Sequence, residues 1–259
     1  MAMHPAIFVS HGAPTLPLDP CPAREFLQGL GKTLARPCAV LAISPHWETA
    51  VPTVNRVAAN ETIHDYYGFP EALYRLQYPA PGSPSLAERA KGLLADAGYG
   101  ARVDGARGLD HGAWVPLMLM YPEADISVVQ LSIQTELGSE HHYKLGRALM
   151  PLREDVLVLG TGGMVHNLRM LARGQVDAPE PKWAHDFAEW VHGALSEGRT
   201  ADLLDYRRRA PNAAEAHPTD DHFMPLFVAL GAGGEGAHAE RLHKSTTYGS
   251  LRMDAYAFS

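Results

Sequence analysis

Two apolar runs of this 259-residue chain end on a histidine. "IFVSHGAP", residues 7 to 14, delivers His11, and "ISPHWE", residues 43 to 48, delivers His46. Imidazole is the commonest metal ligand in proteins and their natural acid–base group near neutral pH. The chain carries 14 histidines, so position matters more than number. His166 follows the glycines of "GTGGMVHN", which let a backbone come close to a ligand. His222 lies in "HPTDDHFMPL", where Asp220 or Asp221 stands ready to cap a helix. His111 lies in "LDHGAW", where Asp110 either orients the imidazole for acid–base work or only caps the helix that follows.

Each of these histidines also has a plainer reading as a hydrogen-bonded loop residue. The repeated ending of two separate strands on a serine and then a histidine is what packing alone does not call for. The other histidines carry less. His141 and His142 open an amphipathic helix and read as solvated, His185 and His192 as surface or packing residues, and His238 and His243 as members of an exposed loop. His217 precedes Pro218 and either shapes its loop or faces a substrate. Tyr66, Tyr67, Phe69 and Tyr74 sit in an irregular stretch that either walls an aromatic pocket or anchors its own loop.

The elements that must position these side chains alternate. Apolar strands are expected at Ala6–Ser10, Cys38–Ser44 and Asp125–Ile133, and at "DVLVLGTGG". The apolar run of Cys38–Ser44 is too continuous for a sheet with one wet face. Helices are expected at Ala23–Leu34 and Ser85–Gly98, and in "HHYKLGRALMPLR", "PKWAHDFAEWVHGALSEG" and "HFMPLFVALGAGG". The tail "STTYGSLRMDAYAF" reads as a hairpin turning at Tyr248–Gly249. This pattern predicts an α/β fold over 1–259, one domain with a mostly parallel sheet, helices on both faces and a C-terminal hairpin. Ligands of such folds sit beyond the carboxyl ends of the strands, where His11, His46 and His166 would converge.

Composition narrows the function. The chain is 46% hydrophobic and 20% charged with a net charge of −7, and no basic cluster marks a nucleic-acid site. Two cysteines, Cys21 and Cys38, cannot staple a chain of this length, which favours a reducing, cytoplasmic setting. No signal peptide and no membrane span is read. The sequence lacks GxSxG, a P-loop lysine, CxxC and HExxH. Separate loop histidines suit a catalytic metal, zinc or Fe(II), better than a structural zinc. Oligomeric state leaves no signal.

Taken together, "FVSHGAPTLPLD", "ISPHWET", "HDYYGFPEALYRLQYPAPG", "LDHGAWVPL", "VQLSI", "GGMVHNLR" and "HPTDDHFMPLFVALGA" resemble, in this order, the DOPA-type extradiol aromatic ring-opening dioxygenases. These belong to the class that includes the catalytic subunit of protocatechuate 4,5-dioxygenase. The resemblance implies a mononuclear non-haem Fe(II) site, often filled by Zn(II) in isolated members, that opens a catechol with O₂ to a semialdehyde. It implies His11, His46, His166 and His222 as the metal-associated histidines, with His166 either a ligand or an acid–base group. His111 would stand near substrate or dioxygen as the other acid–base candidate. A glutamate completes the ligand set in the protocatechuate branch. Here His222 takes that place, with Asp221 beside it. Tyr67 and His217 are carried forward as substrate contacts. A zinc hydrolase on the same histidines, or a binding protein on the same scaffold, are the competing readings.

Overall fold

A computed structural model describes residues 3–259. Its strands are β1 (Ala6–Ser10), β2 (Ala39–Glu48), β3 (Thr53–Asn55), β4 (Arg102–Asp104), β5 (Ser127–Ile133), β6 (Val156–Gly162), β7 (Ala239–His243), β8 (Thr246–Thr247), β9 (Leu251–Arg252) and β10 (Ala255–Phe258). Eight of them form one sheet in the order β4-β3-β5-β2-β6-β1-β10-β7, with β8 and β9 paired apart. The centre, β5-β2-β6-β1, is parallel, and β10 and β7 close one side antiparallel.

Alternation along the strands sends successive residues to two cores, as a sheet covered on both faces requires. Leu41, Ile43, Val129, Leu131 and Val158 face one layer, and Val40, Ala42, Val128, Leu157 and Leu159 face the other. Helices Pro84–Asp96, Gly138–Leu149, Lys182–Ser196 and Met224–Gly233 cover the first core, and Pro22–Thr33 and His111–Met120 the second. Met224–Gly233 is apolar on every side and, apart from its terminal Gly233, fully buried. It meets Gly138–Leu149 backbone to backbone. A Cβ at Gly231 would lie 2.0 Å from the Tyr143 carbonyl oxygen, and one at Gly146 would lie 2.1 Å from that of Val228.

The expected α/β class, parallel sheet and C-terminal hairpin are all present. Three features differ from the sequence reading. The second strand runs on to Glu48, although its regular pairing with β5 stops at Ile43 and resumes only at Glu48. His46 projects from that irregular stretch. The long segment read as irregular holds β3, which extends the sheet. The tail does more than form a hairpin, because Ala255–Phe258 pairs with β1 and helps to bury the strand that ends at His11.

Candidate metal centre

Five histidines meet at the carboxyl edge of the sheet. His11 follows β1 directly, and its N–H donates to the Gly162 carbonyl at 2.9 Å. Ser10 Oγ donates to the Asp254 carbonyl at 3.0 Å and accepts the Met164 N–H at 3.1 Å, which ties this strand end to the loop bearing His166. His166 is anchored by its own N–H on the Ala216 carbonyl. His222 sits on the 3₁₀ turn Asp221–Phe223, and its carbonyl accepts the Gly163 N–H at 3.0 Å. His111 begins the helix His111–Met120. Gly112 permits that helix to approach, since a Cβ there would lie 2.3 Å from Ser44 Oγ and 2.9 Å from the His46 ring.

The candidate ligand nitrogens of His11, His46 and His222 all lie within 4.8 Å of one another. Nε2 of His11 and Nε2 of His46 are 3.2 Å apart, two lone pairs that repel unless a proton or a cation joins them. His222 donates from Nδ1 to Asp221 at 2.6 Å, which leaves Nε2 as an acceptor, and that nitrogen is buried with no partner. A carboxylate behind a histidine is the arrangement that aims a ring at a metal and raises its basicity. These residues fit a divalent metal. His166 lies outside the three and stacks flat on His222, with ring centres 3.4 Å apart and planes 7° from parallel.

Electrostatics agree with that fit. Burial lowers His11 and His222 well below the usual histidine range, and the neighbouring imidazoles lower them further. Burial brings His46 and His166 down to about 4, with His111 adding to the effect at both. At neutral pH these four rings are uncharged and present lone pairs, as a cation site needs. Burial would raise the Asp65 carboxyl, but hydrogen bonding and charge from His111 outweigh it and hold Asp65 at about 2.

A cavity of about 490 Å³ opens over the histidines. Pro14, Tyr66, Phe69, Leu168, Leu171 and Tyr248 contribute to its walls. The volume suits a substituted aromatic ring. His11, His46, His111, His166 and His222 all line it, so the five predicted histidines come together.

The two predicted substrate contacts do not reach it. Tyr67 is 92% exposed and points to solvent, while Tyr66 and, beyond the positive-φ turn at Gly68, Phe69 contribute to the wall. His217 is fully buried, bonded through Nε2 to the Met164 carbonyl at 3.0 Å and packed against Phe187 and Phe223. His142, expected in solvent, is also buried, and His243 belongs to β7 with its ring stacked on Phe26.

Asp110 caps the helix through the Ala113 N–H. It does not orient His111, which was the alternative open to it. It also takes hydrogen bonds from Gln130 and, at 3.1 Å, from Arg107, which holds the His46 carbonyl as well. The carboxylate on His111 is Asp65, a residue passed over in the sequence. Its signal was an acid beside His64 in "HDYYGFP", within a stretch of no periodicity that gave no clue to which way it turned.

A cluster of imidazoles beneath a largely apolar cavity, at the strand edge of an α/β sheet, is the site of a metal-dependent enzyme. Comparison with known proteins gives the class its family. Residues 5–258 match the catalytic LigB subunit of aromatic ring-opening dioxygenase. A 4,5-DOPA dioxygenase extradiol of Beta vulgaris is 46% identical over 257 residues, covering 97% of this chain and 95% of the relative. Another from Escherichia coli K12 is 39% identical over 235 residues, covering 88% and 84%. The crystal structure of an uncharacterized Escherichia coli K12 protein superposes with a TM-score of 0.81 at 34% identity, each chain covered in full. This chain belongs to that family of aromatic ring-opening dioxygenases. Family and named relatives alike speak for the extradiol reading and give no support to a zinc hydrolase.

Proposed function

We propose that this protein opens the ring of a catechol at the extradiol bond with O₂, giving a semialdehyde, and that Fe(II) held by His11, His46 and His222 is the working metal. The observation that carries this is the meeting of those three imidazoles within 4.8 Å at the floor of an aromatic-walled cavity, in a chain of this family. When bound, the metal supplies open positions that hold both reactants together and a Lewis acid that favours the deprotonated diol. Both oxygen atoms of O₂ enter the product as the ring carbon–carbon bond breaks.

The chain's own residues do the rest. Tyr66 and Phe69 offer faces on which the substrate ring packs and from which water is excluded. His166, uncharged and beside His222, takes a diol proton and returns it later. His111, with Nδ1 tied to Asp65, turns Nε2 toward the reactants as a positioned hydrogen-bond partner. Asp221 holds the His222 ring, and so is a supporting group here and not itself a ligand. Zn(II) fills such a site without a redox step and would bind a catechol without opening it. No described helix is long and apolar enough to cross a membrane, and Cys21 and Cys38 are both free, in keeping with a cytoplasmic setting.

The test is anaerobic loading of metal-free protein with Fe(II), then a catechol and O₂. A yellow semialdehyde with one O₂ consumed per catechol, absent with Zn(II) and in His46→Ala, is expected. No oxygen uptake by iron-loaded protein with any catechol would sink the reading.

A further inference from the structure

β2 pairs with β6 only as far as Ile43, and its pairing with β5 breaks between Ile43 and Glu48. Residues 44–47, His46 among them, therefore lie outside the ladder that fixes the rest of the strand. Such an interruption re-aims a side chain, and other contacts must then hold the peptide. The His46 N–H donates locally, to Ser44 Oγ at 3.3 Å. Its carbonyl is held from across the chain. Arg107 Nη2 donates to it at 3.1 Å and to Asp110 Oδ2 at 3.1 Å, and the guanidinium lies over the Trp47 indole, 5.3 Å from the ring centre. These contacts fall on the backbone of His46 and on the side chain beside it, so they set the direction in which the imidazole leaves the chain. Arg107 is itself fixed. Its N–H donates to Asp104 Oδ1 at 3.0 Å, and its carbonyl accepts Asn55 Nδ2 at 3.0 Å.

Asp110 carries this hold into the sheet. It is fully buried, caps the helix that begins at His111, and accepts from Gln130, whose own N–H donates to Asn55 Oδ1 at 2.7 Å. One guanidinium thus joins the strand end that bears His46 to the helix start that bears His111, and the two rings stand 4.0 Å apart between centres. Neither Arg107 nor Asp110 lines the cavity, so neither meets a substrate there. We propose, on the reading of His46 as a metal ligand, that Arg107 is a positioning residue of the metal centre, which acts through the His46 main chain to hold Nε2 of that ring at the metal. A planar guanidinium suits the task because it packs on an aromatic face while its N–H groups donate in its own plane. An ammonium can pair with Asp110 but has no plane to lay over the indole.

The test separates positioning from stability and needs no turnover. Metal-free wild type and variants are loaded with Co(II). Its affinity is read by competition with a chelator, its geometry from the visible d–d absorption, and folding from urea midpoints. Arg107→Met removes the contacts to His46 and Asp110 together and leaves a buried carboxylate unpaired, which destabilises the fold. Arg107→Met/Asp110→Asn removes that stranded charge while asparagine still caps the helix. The urea midpoint should therefore return toward wild type in the double variant. Its Co(II) affinity should stay about tenfold or more below wild type, with a changed d–d spectrum, the usual scale for losing a partner that orients a ligand. Arg107→Lys keeps the charge pair and the fold, and should lose less affinity than the double variant. Wild-type affinity and spectrum in the double variant would overturn the proposal, because Arg107 would then serve only to pair Asp110. His46→Ala distinguishes the two readings. If it binds Co(II) as the wild type does, His46 is no ligand, and the metal reading fails together with the role of Arg107. If it loses Co(II) while the double variant does not, the metal centre stands and the role of Arg107 alone falls.

Discussion

The Asp65 carboxylate receives both the main-chain N–H and the ring of His111, the first at 2.9 Å and Nδ1 at 3.0 Å from each oxygen. The same carboxylate lies 3.6 Å from Nδ1 of His46. One loop residue thus fixes the tautomer of His111 and bears on a second histidine of the metal group. Asp65→Ala is expected to lower kcat/KM by about 10–100-fold, the usual cost of losing a partner of a site histidine. Asp65→Asn keeps one acceptor for Nδ1 and should recover part of it. Steady-state kinetics of iron-loaded variants check this, and equal activity of Asp65→Ala and wild type would refute it.

Asp221 tests the support behind the metal. Its removal leaves His222 Nδ1 without the acceptor that directs Nε2 inward. Asp221→Ala should weaken metal binding by about 10–100-fold, measured by competition with a chelator. If Asp221 were itself a ligand, Asp221→Asn would lose as much as Asp221→Ala; as a hydrogen-bond partner it should lose distinctly less.

Gly112 tests how closely the site is packed. Alanine there places a methyl 2.3 Å from Ser44 Oγ and 2.9 Å from the His46 ring. Overpacking of this kind costs about 1–3 kcal/mol. Gly112→Ala should lose that stability in urea and hold less metal per chain, because the added methyl crowds the His46 ring. A variant with full metal content and unchanged stability would show that the helix can retreat.

His142 sets a pH limit on stability. Its Nδ1 donates to the Gly138 carbonyl at 2.7 Å and its Nε2 accepts the Gln134 N–H at 3.2 Å, so both nitrogens serve the neutral ring. Burial brings it from 6.5 down to about 4. The unfolded chain binds the proton first, so stability is full above 6.5 and is lost as pH falls from 6.5 toward 4. Between pH 7 and 5 this one residue should account for about 2 kcal/mol. Urea midpoints of wild type and His142→Gln at both pH values check it: the wild type should lose more on acidification than the variant. Parallel losses would count against the assignment.

The sheet was legible in the sequence because buried parallel strands are mostly apolar, and Val40–Ile43 and Val156–Leu159 are apolar throughout while Val128–Leu131 departs only at Gln130. The histidines at their ends were legible for a related reason. A polar, titratable residue directly after such a run can only lie at the sheet edge, so chain order and strand direction already brought His11, His46 and His166 to one side. The short strands β3 and β4, at one side of the sheet, were not legible, since three residues carry too little pattern.

Tertiary structure alone decided which way each remaining side chain faces. Tyr66 and Tyr67 are adjacent and chemically alike, yet one walls the cavity and the other meets water, because the path of an irregular loop is set by what it packs on. His217 and His222 lie close in sequence, but the first ends the helix Ala213–Ala216 and is buried among phenylalanines, while the second sits on the 3₁₀ turn Asp221–Phe223 and joins the metal group. Local sequence offered His111 only its neighbour Asp110, either as an orienting partner or as a helix cap. Helix geometry commits Asp110 to the cap, and the fold brings Asp65 across 46 residues of chain to take the ring. Local chemistry can be read residue by residue, whereas partnership between distant residues exists only once the chain has closed.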